Sequence, residues 1–163
     1  MNIRPERPGD EAAIHEVNRL AFGRDDEAKL VEALRDGGFV RLSLVADADG
    51  EVVGHVLFSE VSASGVSRSL ALAPVAVVPG RQREGIGSSL IRAGIKTCAD
   101  EGFDAIFLLG EPGYYSRFGF SAERAMGFDV PYPKEYFMAL ELKEGVLGGA
   151  AGKVEYPPPF GGS

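Results

Sequence analysis

The stretch Val75-Ala-Val-Val-Pro-Gly-Arg-Gln-Arg-Glu-Gly-Ile-Gly-Ser-Ser-Leu90 decides the fold of this chain. An apolar run ends at Pro79, a short polar loop with Gly85 and Gly87 follows, and a helical pattern begins directly after it. A strand that leads through such a loop into a helix forms an anion-binding turn, because the loop amides and the positive end of the helix dipole converge there. Glycine suits this place because a Cβ would hold the backbone away from phosphate oxygens.

The spacing of the glycines narrows the range of phosphate ligands that this turn could bind. No Lys follows Gly87, which excludes the nucleoside triphosphate loop, and Leu90 stands where the dinucleotide fingerprint needs its third glycine. The pattern that remains is Gln82-x-x-Gly85-x-Gly87. Taken alone, it is also compatible with an ordinary strand-to-helix turn whose glycines occur by chance.

Length and composition predict one soluble domain over residues 1–163, with residues 145–163 as an extended C-terminal arm. The formal net charge of −7 argues against nucleic acid and against an anionic membrane surface as partners. Cys98 is the only cysteine, so no internal disulfide can form, and a reducing cytoplasm fits. We expect a cytoplasmic protein without a bound metal.

The apolar periodicity predicts the element order β-α-α-β-β-β-α-β-α-β-β, which is a mixed α/β domain. We expect helices over 9–22, 26–36 and 87–101 and longer strands over 42–46, 51–61, 68–78, 105–109 and 136–142. Asp49-Gly50 predicts a hairpin turn, and the small polar segment 62–67 predicts a loop.

A second motif lies downstream. Tyr114-Tyr-Ser-Arg-Phe-Gly-Phe120 resembles the Tyr-x-x-x-Gly-Phe motif of the GNAT (GCN5-related) N-acetyltransferases, and the first loop resembles their [Gln/Arg]-x-x-Gly-x-[Gly/Ala] signature. Two motifs in the family's order are more specific than either alone. With 73–79, 109–120, 137–142 and 152–156, the chain resembles the YhbS-type branch of bacterial N-acetyltransferases over nearly its full length.

The resemblance implies the GNAT fold, a mixed sheet of six to seven strands that splays between the fourth and fifth strands. It also implies transfer of an acetyl group from acetyl-CoA (coenzyme A) to a primary amine by direct transfer. The backbone N–H of Val75 would polarise the thioester carbonyl, and the backbone of Val77 would bind the pantetheine. The cofactor-binding residues that the resemblance implies are Val75, Ala76, Val77, Gln82, Arg83, Glu84, Gly85, Ile86, Gly87 and Ser88.

Tyr115 occupies the family's tyrosine position, which implies that it protonates the departing coenzyme A thiolate. A phenol with a pKa near ~10 can donate to a thiolate of similar basicity. The alternative is an aromatic residue that only packs next to Phe118 and Phe120. We interpret Tyr114 as structural.

The general base stays open. The segment 69–78 holds no acid, so the candidates are Glu60, Glu111 in the loop before Tyr115, and His55, although a histidine within a strand is more often packed in the core. A chain of water molecules without a dedicated base is a further alternative.

The acceptor is not predicted beyond a small-molecule or peptide amine. We expect its pocket in the first two helices and in the loop 122–135, with Phe22, Phe128 and Tyr132 as candidate lining residues. Packing in the core or at its rim is the default expectation for all three. The arm permits a homodimer. Two other functions remain: a non-catalytic acyl-CoA-binding sensor or interaction domain, and an unrelated protein that binds a phosphate ligand.

Overall fold

The computed structural model describes residues 1–161. Within these residues the chain forms eight strands: β1 (Asn2–Pro5), β2 (Val40–Ala48), β3 (Glu51–Ala63), β4 (Val66–Val77), β5 (Ala105–Leu109), β6 (Phe128–Asp129), β7 (Phe137–Glu141) and β8 (Gly152–Glu155). The helices are α1 (Glu11–Phe22), α2 (Asp26–Asp36), α3 (Ile86–Asp100), α4 (Pro112–Tyr115) and α5 (Ala122–Ala125). Short 3-10 turns cover Pro79–Arg81, Ser116–Phe118 and Pro158–Phe160.

The main path of hydrogen-bonded strands runs in the order β1-β2-β3-β4-β5-β7. Strands β1, β2 and β3 pair antiparallel, as do β5 and β7, whereas β4 and β5 are parallel. The parallel register joins Ser69–Ala71 to Ala105–Phe107, and the remainder of β4 lies beyond it. The predicted mixed α/β class is confirmed. The described residues contain eight strands instead of six or seven, because the short β6 and the C-terminal β8 add to the sheet.

One compact unit comprises residues 1–59 and 73–94. Its helices α1 and α2 follow the bounds that the apolar spacing predicts, within two residues at the start of α1. Each helix turns an apolar face inward, because side chains three and four positions apart share one side of a helix. The buried apolar residues of these faces are Ile14, Val17, Ala28, Val31 and Leu34.

The β2–β3 hairpin confirms the predicted turn. Asp49 and Gly50 both have positive φ, 54° and 90°. Two consecutive residues of that kind match the twist of a two-residue hairpin, and glycine adopts the second position without strain.

The predicted loop over 62–67 is wrong. Strand β3 continues to Ala63 and β4 begins at Val66, so the turn contains only two residues. Small polar residues normally indicate a loop. Here Ser62 and Ala63 instead pair with residues of β8, a contact across about half the chain that no local pattern shows.

A second compact unit comprises residues 60–72 and 95–163, of which the structure describes those up to 161. Strand β5 runs through its core and is apolar on both sides, as expected of a strand covered on both faces. The Phe107 ring stacks on Phe137 at 5.7 Å between centroids and meets Phe128 edge to face at 5.3 Å. Ring pairs of this geometry add to the stabilisation from burial alone.

The C-terminal arm is more regular than predicted. Its strand β8 pairs antiparallel with the end of β3 and parallel with β6. Val154 and Leu147 are buried in the same cluster as Phe107. Gly162 and Ser163, the last residues of the predicted arm, lie outside the described residues. The single domain over 1–163 stays a prediction.

Among residues 1–161, no helix is both long enough and apolar enough to cross a membrane. The longest, α3, has 15 residues, whereas a spanning helix needs about 20 mostly apolar ones.

Candidate active site

The two halves of β4 differ in how they are covered. From Ser69 to Leu72 every residue is buried, so this half is covered on both faces. From Ala73 onward burial alternates: Pro74 and Ala76 are buried, whereas Val75 and Val77 are only half-buried. Since side chains alternate along a strand, Val75 and Val77 share the more open face.

The donor loop, which we define as residues 82–88, follows the 3-10 turn after β4. The Gln82 side chain folds back, and its Nε2 donates to the Val77 carbonyl at 3.0 Å. Arg83 and Gly85 both have positive φ, 70° and 86°. These two left-handed residues curl the backbone tightly ahead of α3, and Gly85 adopts its conformation without the steric cost that a Cβ would bring.

The first turn of α3 directly follows this curl. The N–H of Ser89 donates to the Gly85 carbonyl at 3.0 Å, so the helical ladder starts at the loop itself. The amide groups of a first helical turn point out of the helix end, where they favour a negative charge. Gly54 of β3 lets the helix approach closely, because a Cβ there would lie 3.0 Å from side-chain atoms of both Ile86 and Leu90.

The charged side chains of the donor loop partly neutralise one another. Glu84 accepts from Nε of Arg81 at 2.9 Å, and both side chains are largely exposed. The Glu84 carboxylate therefore faces solvent, and Arg81, three residues away, offsets part of its charge.

The tyrosine turn, which we define as residues 110–120, follows β5 and contains α4 and a 3-10 turn. Glu111 precedes α4 in an extended conformation, and Pro112 opens the helix, a position that suits its fixed φ. Gly119 ends the turn with a φ of 97°. The short helix that the predicted element order places after the strand 105–109 is therefore confirmed.

Tyr115 is packed among aromatic rings. Its ring centroid lies 5.0 Å from that of Tyr114, 6.3 Å from that of Phe118 and 6.1 Å from that of Phe120. Burial raises the pKa of Tyr115 to about 12, and the neighbouring Tyr114 adds to the rise. The phenol therefore keeps its proton at neutral pH.

The two candidate acids lie in different settings. The side chain of Glu111 is exposed, and its backbone carbonyl accepts from the N–H groups of Tyr114 and Tyr115. Glu60 lies near the end of β3 and is half-buried. Both are placed where their side chains reach water.

His55 is a structural residue. It is fully buried, and burial lowers its pKa to about 3, with a further contribution from Arg35. The side-chain amide nitrogen of Asn18 lies 3.2 Å from Nδ1 of His55, and the Ser43 hydroxyl lies 3.0 Å from Nε2. Ser43 donates its own proton to Glu6, so it accepts from the histidine, and Nδ1 in turn accepts from the amide. The histidine has no nitrogen left to act as a base.

Cys98 is also structural. The thiol lies fully buried in α3, and burial raises its pKa to about 12, with Glu101 adding to the rise. A thiol in this state carries no thiolate at neutral pH, and the thiolate is the nucleophilic form.

The loop predicted to hold the acceptor pocket lines a cleft of about 390 Å³. Tyr132 lines the cleft, and its place in an acceptor pocket stays a prediction. Phe128 does not line the cleft, because it is fully buried against Phe107; the default expectation of core packing is confirmed for this residue. Phe22 is partly exposed at the end of α1. Three charged residues also line the cleft: Asp129, which lies within the predicted loop, and Lys153 and Glu155, which no sequence pattern indicated.

Comparison with known proteins connects these features to a family. The sequence model of the Acetyltransferase (GNAT) family matches residues 11–120. The uncharacterized N-acetyltransferase YhbS of Escherichia coli K12 is 37% identical over 164 residues, with 98% of both chains covered. The uncharacterized N-acetyltransferase YjhQ of the same strain is 40% identical over 130 residues, 76% of this chain and 72% of its own.

Solved structures agree. The crystal structure of YhbS from Escherichia coli in complex with CoA matches with a TM-score of 0.92 at 36% identity, covering 98% of this chain and 91% of its own. A GNAT family acetyltransferase from Brucella melitensis, in complex with acetyl-CoA, matches with a TM-score of 0.84 at 39% identity, covering 98% and 97%. The predicted family and the GNAT fold are confirmed. This chain belongs to the acetyltransferase (GNAT) family and is an acyl-CoA-dependent acetyltransferase.

Proposed function

We propose that the protein transfers an acetyl group from acetyl-CoA directly to a primary amine. Acetyl-CoA supplies the activated acyl group as a thioester. The observation that carries the proposal is the donor loop, whose curled backbone enters α3 directly and leaves Gln82 to Gly85 exposed. Two relatives at 36% and 39% identity hold CoA and acetyl-CoA in their crystals.

The donor loop binds the pyrophosphate through its backbone amides. Left-handed residues at 83 and 85 gather these amides into a concave turn, a geometry that suits anions. The proposed pyrophosphate-binding residues are Gln82, Arg83, Glu84, Gly85, Ile86, Gly87 and Ser88. Most of these contacts depend on the backbone, so the side chains of the loop contribute less to affinity.

The second half of β4 binds the pantetheine and polarises the acyl carbonyl. Val75 donates its backbone N–H to the carbonyl oxygen, where negative charge develops during the reaction. Val77 binds the pantetheine amide through its backbone, and Ala76 holds the strand in the core. Val75 and Val77 lie beyond the three residues of β4 that pair with β5, which supports this assignment.

Tyr115 protonates the thiolate that leaves when the C–S bond breaks. Its high pKa keeps the phenol protonated before the reaction. The phenol delivers the proton only when a strongly basic thiolate forms next to it. The amine loses its proton to a base as the C–N bond forms, and Glu60 and Glu111 are the candidates.

The state of the thiol supports direct transfer over an acyl-cysteine route. Such a route would need a nucleophilic thiolate, and Cys98 is buried and protonated. In the proposed route the acetyl group passes from sulfur to nitrogen without being carried by Cys98. The acceptor is a small-molecule or peptide amine, and a homodimer stays a prediction.

Calorimetric titration with acetyl-CoA, followed by a thiol-release assay over an amine panel, tests the proposal. We expect saturable binding and release of coenzyme A with at least one amine. Binding without release on any amine would favour an acyl-CoA sensor, and failure to bind any coenzyme A species would favour an unrelated phosphate ligand. Glu60→Gln and Glu111→Gln, assayed with the amine that reacts, then identify the base, because removal of the proton acceptor should lower kcat and the other change should not.

A further inference from the structure

We propose that Gly110 is a positioning residue for Tyr115: the space left by its missing side chain sets the place of the tyrosine ring. The inference rests on the proposed acid role of Tyr115. Gly110 is the first residue after β5 and lies five positions before the tyrosine. It touches neither the acceptor nor the donor in this account and acts only through the ring.

The ring of Tyr115 occupies the position that a side chain at residue 110 would need. A Cβ on Gly110 would lie 2.5 Å from Cε2 and 2.8 Å from Cδ2 of Tyr115, and 3.3 Å from Cδ1 of Leu108. Carbon atoms in contact lie about 3.5–4.0 Å apart, so an alanine here requires a shift of about 1 Å.

The backbone of Gly110 does not itself need glycine. Its φ lies outside the left-handed range, and an L-residue with a Cβ adopts such a conformation without strain. Glycine's conformational freedom therefore does not account for this residue. The close approach of the Tyr115 ring does.

Hydrogen bonds hold the backbones of Gly110 and Tyr115 in place. The N–H of Gly110 donates to the Tyr136 carbonyl at 2.9 Å, which extends the β5–β7 ladder by one residue. The N–H of Tyr115 donates to the Glu111 carbonyl at 3.0 Å within the turn. A new methyl group at residue 110 would therefore displace the side chain, because moving either backbone breaks a hydrogen bond.

The aromatic neighbours limit how the Tyr115 ring can be displaced. Tyr114, Phe118 and Phe120 pack around the Tyr115 ring at centroid distances of 5.0 to 6.3 Å. A ring pushed from the side of residue 110 must rotate or tilt against these neighbours, and its hydroxyl moves with it. Misplacement of a reacting group by about 1 Å can cost roughly 10²-fold in rate.

Nuclear magnetic resonance of ring-labelled tyrosine tests the geometry without any acceptor. The Tyr115 signal is assigned by its loss in Tyr115→Phe. We expect Gly110→Ala to shift this signal, because ring-current shifts from the three aromatic neighbours depend on ring position. Gly113→Ala in the same turn is the matched control, since its Cβ would meet only Oε1 of Glu111, at 3.9 Å. An unmoved signal in Gly110→Ala would overturn the inference.

Kinetics with the amine that reacts test the consequence. We expect Gly110→Ala to lower kcat about tenfold or more while KM for acetyl-CoA changes less than about twofold. In the Tyr115→Phe background the same change should cost less than about twofold, because the group it positions is gone. A full loss in both backgrounds would overturn the inference and leave the acid role intact. A shifted ring with unchanged kcat would instead overturn the acid role of Tyr115 and the inference with it.

Discussion

The donor loop and the tyrosine turn solve different chemical problems in different ways. In the donor loop residues 82–85 are exposed, and the backbone conformation at Arg83 and Gly85 determines the structure. In the tyrosine turn one phenol is packed among three aromatic rings, and burial raises its pKa to about 12. Binding an anion needs many small dipoles that point to one place, whereas moving a proton needs one group in one place.

The difference predicts opposite sensitivities. Substitutions that disturb the backbone conformation of the donor loop should weaken acetyl-CoA binding, and changes to its side chains should have little effect on binding. Loss of the Tyr115 hydroxyl should lower turnover and leave the binding of acetyl-CoA unaffected.

Gly85→Glu should have the largest effect. The φ of 86° costs an L-residue about 1–2 kcal/mol, and the new carboxylate repels the pyrophosphate. Together these should weaken acetyl-CoA binding by roughly 10²-fold or more, measured by calorimetric titration.

Gly80→Glu is the matched control for this change. Gly80 lies in the turn just before the donor loop, its φ is outside the left-handed range, and a Cβ there meets nothing within 4 Å. The same charge on an unstrained backbone should weaken binding less, by about tenfold at most, because an exposed charge is screened. Equal losses in the two variants would mean that charge, not backbone conformation, governs the loop.

Tyr115→Phe should lower kcat by about 10²-fold or more, the usual contribution of a positioned general acid. KM for acetyl-CoA should change less than about threefold, because the hydroxyl acts only in the transition state. Tyr114→Phe, the adjacent change, should keep turnover. A Tyr115→Phe enzyme as fast as the wild type would remove the acid role.

The raised pKa of Tyr115 also fixes its pH behaviour. Since the phenol stays protonated up to about pH 12, its ionisation should cause no loss of kcat between about pH 7 and 10. Burial favours the neutral phenol in the folded state. Its contribution to stability is therefore present below the unfolded pKa of about 10 and declines as the pH rises toward 12. A kcat limb near pH 9 that disappears in Tyr115→Phe would contradict the raised pKa.

Glu84→Gln should have the smallest effect. The Arg81–Glu84 pair is largely exposed, and such pairs contribute about 0–1 kcal/mol to stability. Acetyl-CoA binding should tighten by no more than about threefold, because one screened negative charge is removed. A loss of affinity on calorimetric titration would show that the carboxylate itself supports the loop.

Local signals carried most of what the sequence could predict. Three predictions depend only on short stretches of sequence: the tight turn between Gln82 and Gly87, the hairpin turn at Asp49-Gly50, and the bounds of α2. The structure confirms the local conformation in each case. Residue roles in the site remain proposals.

Contacts between distant residues could not be predicted. Ser62 pairs with Glu155, so a predicted loop is a strand. The contact of Phe128 with Phe107 decides between the pocket and the core, the two places that the sequence left open for this side chain. The buried partners of His55 come from α1 and β2. The role proposed for Gly110 depends on a ring that packs on it from five residues away, which no glycine pattern in the sequence indicates.

Titration of the wild-type protein with acetyl-CoA and with S-acetylpantetheine, which lacks the pyrophosphate and the nucleotide, tests whether the donor loop binds the pyrophosphate. We expect S-acetylpantetheine to bind at least about 10²-fold more weakly, and Gly85→Glu to remove most of this difference. Equal affinity of the wild type for the two thioesters would contradict the assignment of the donor loop to the pyrophosphate.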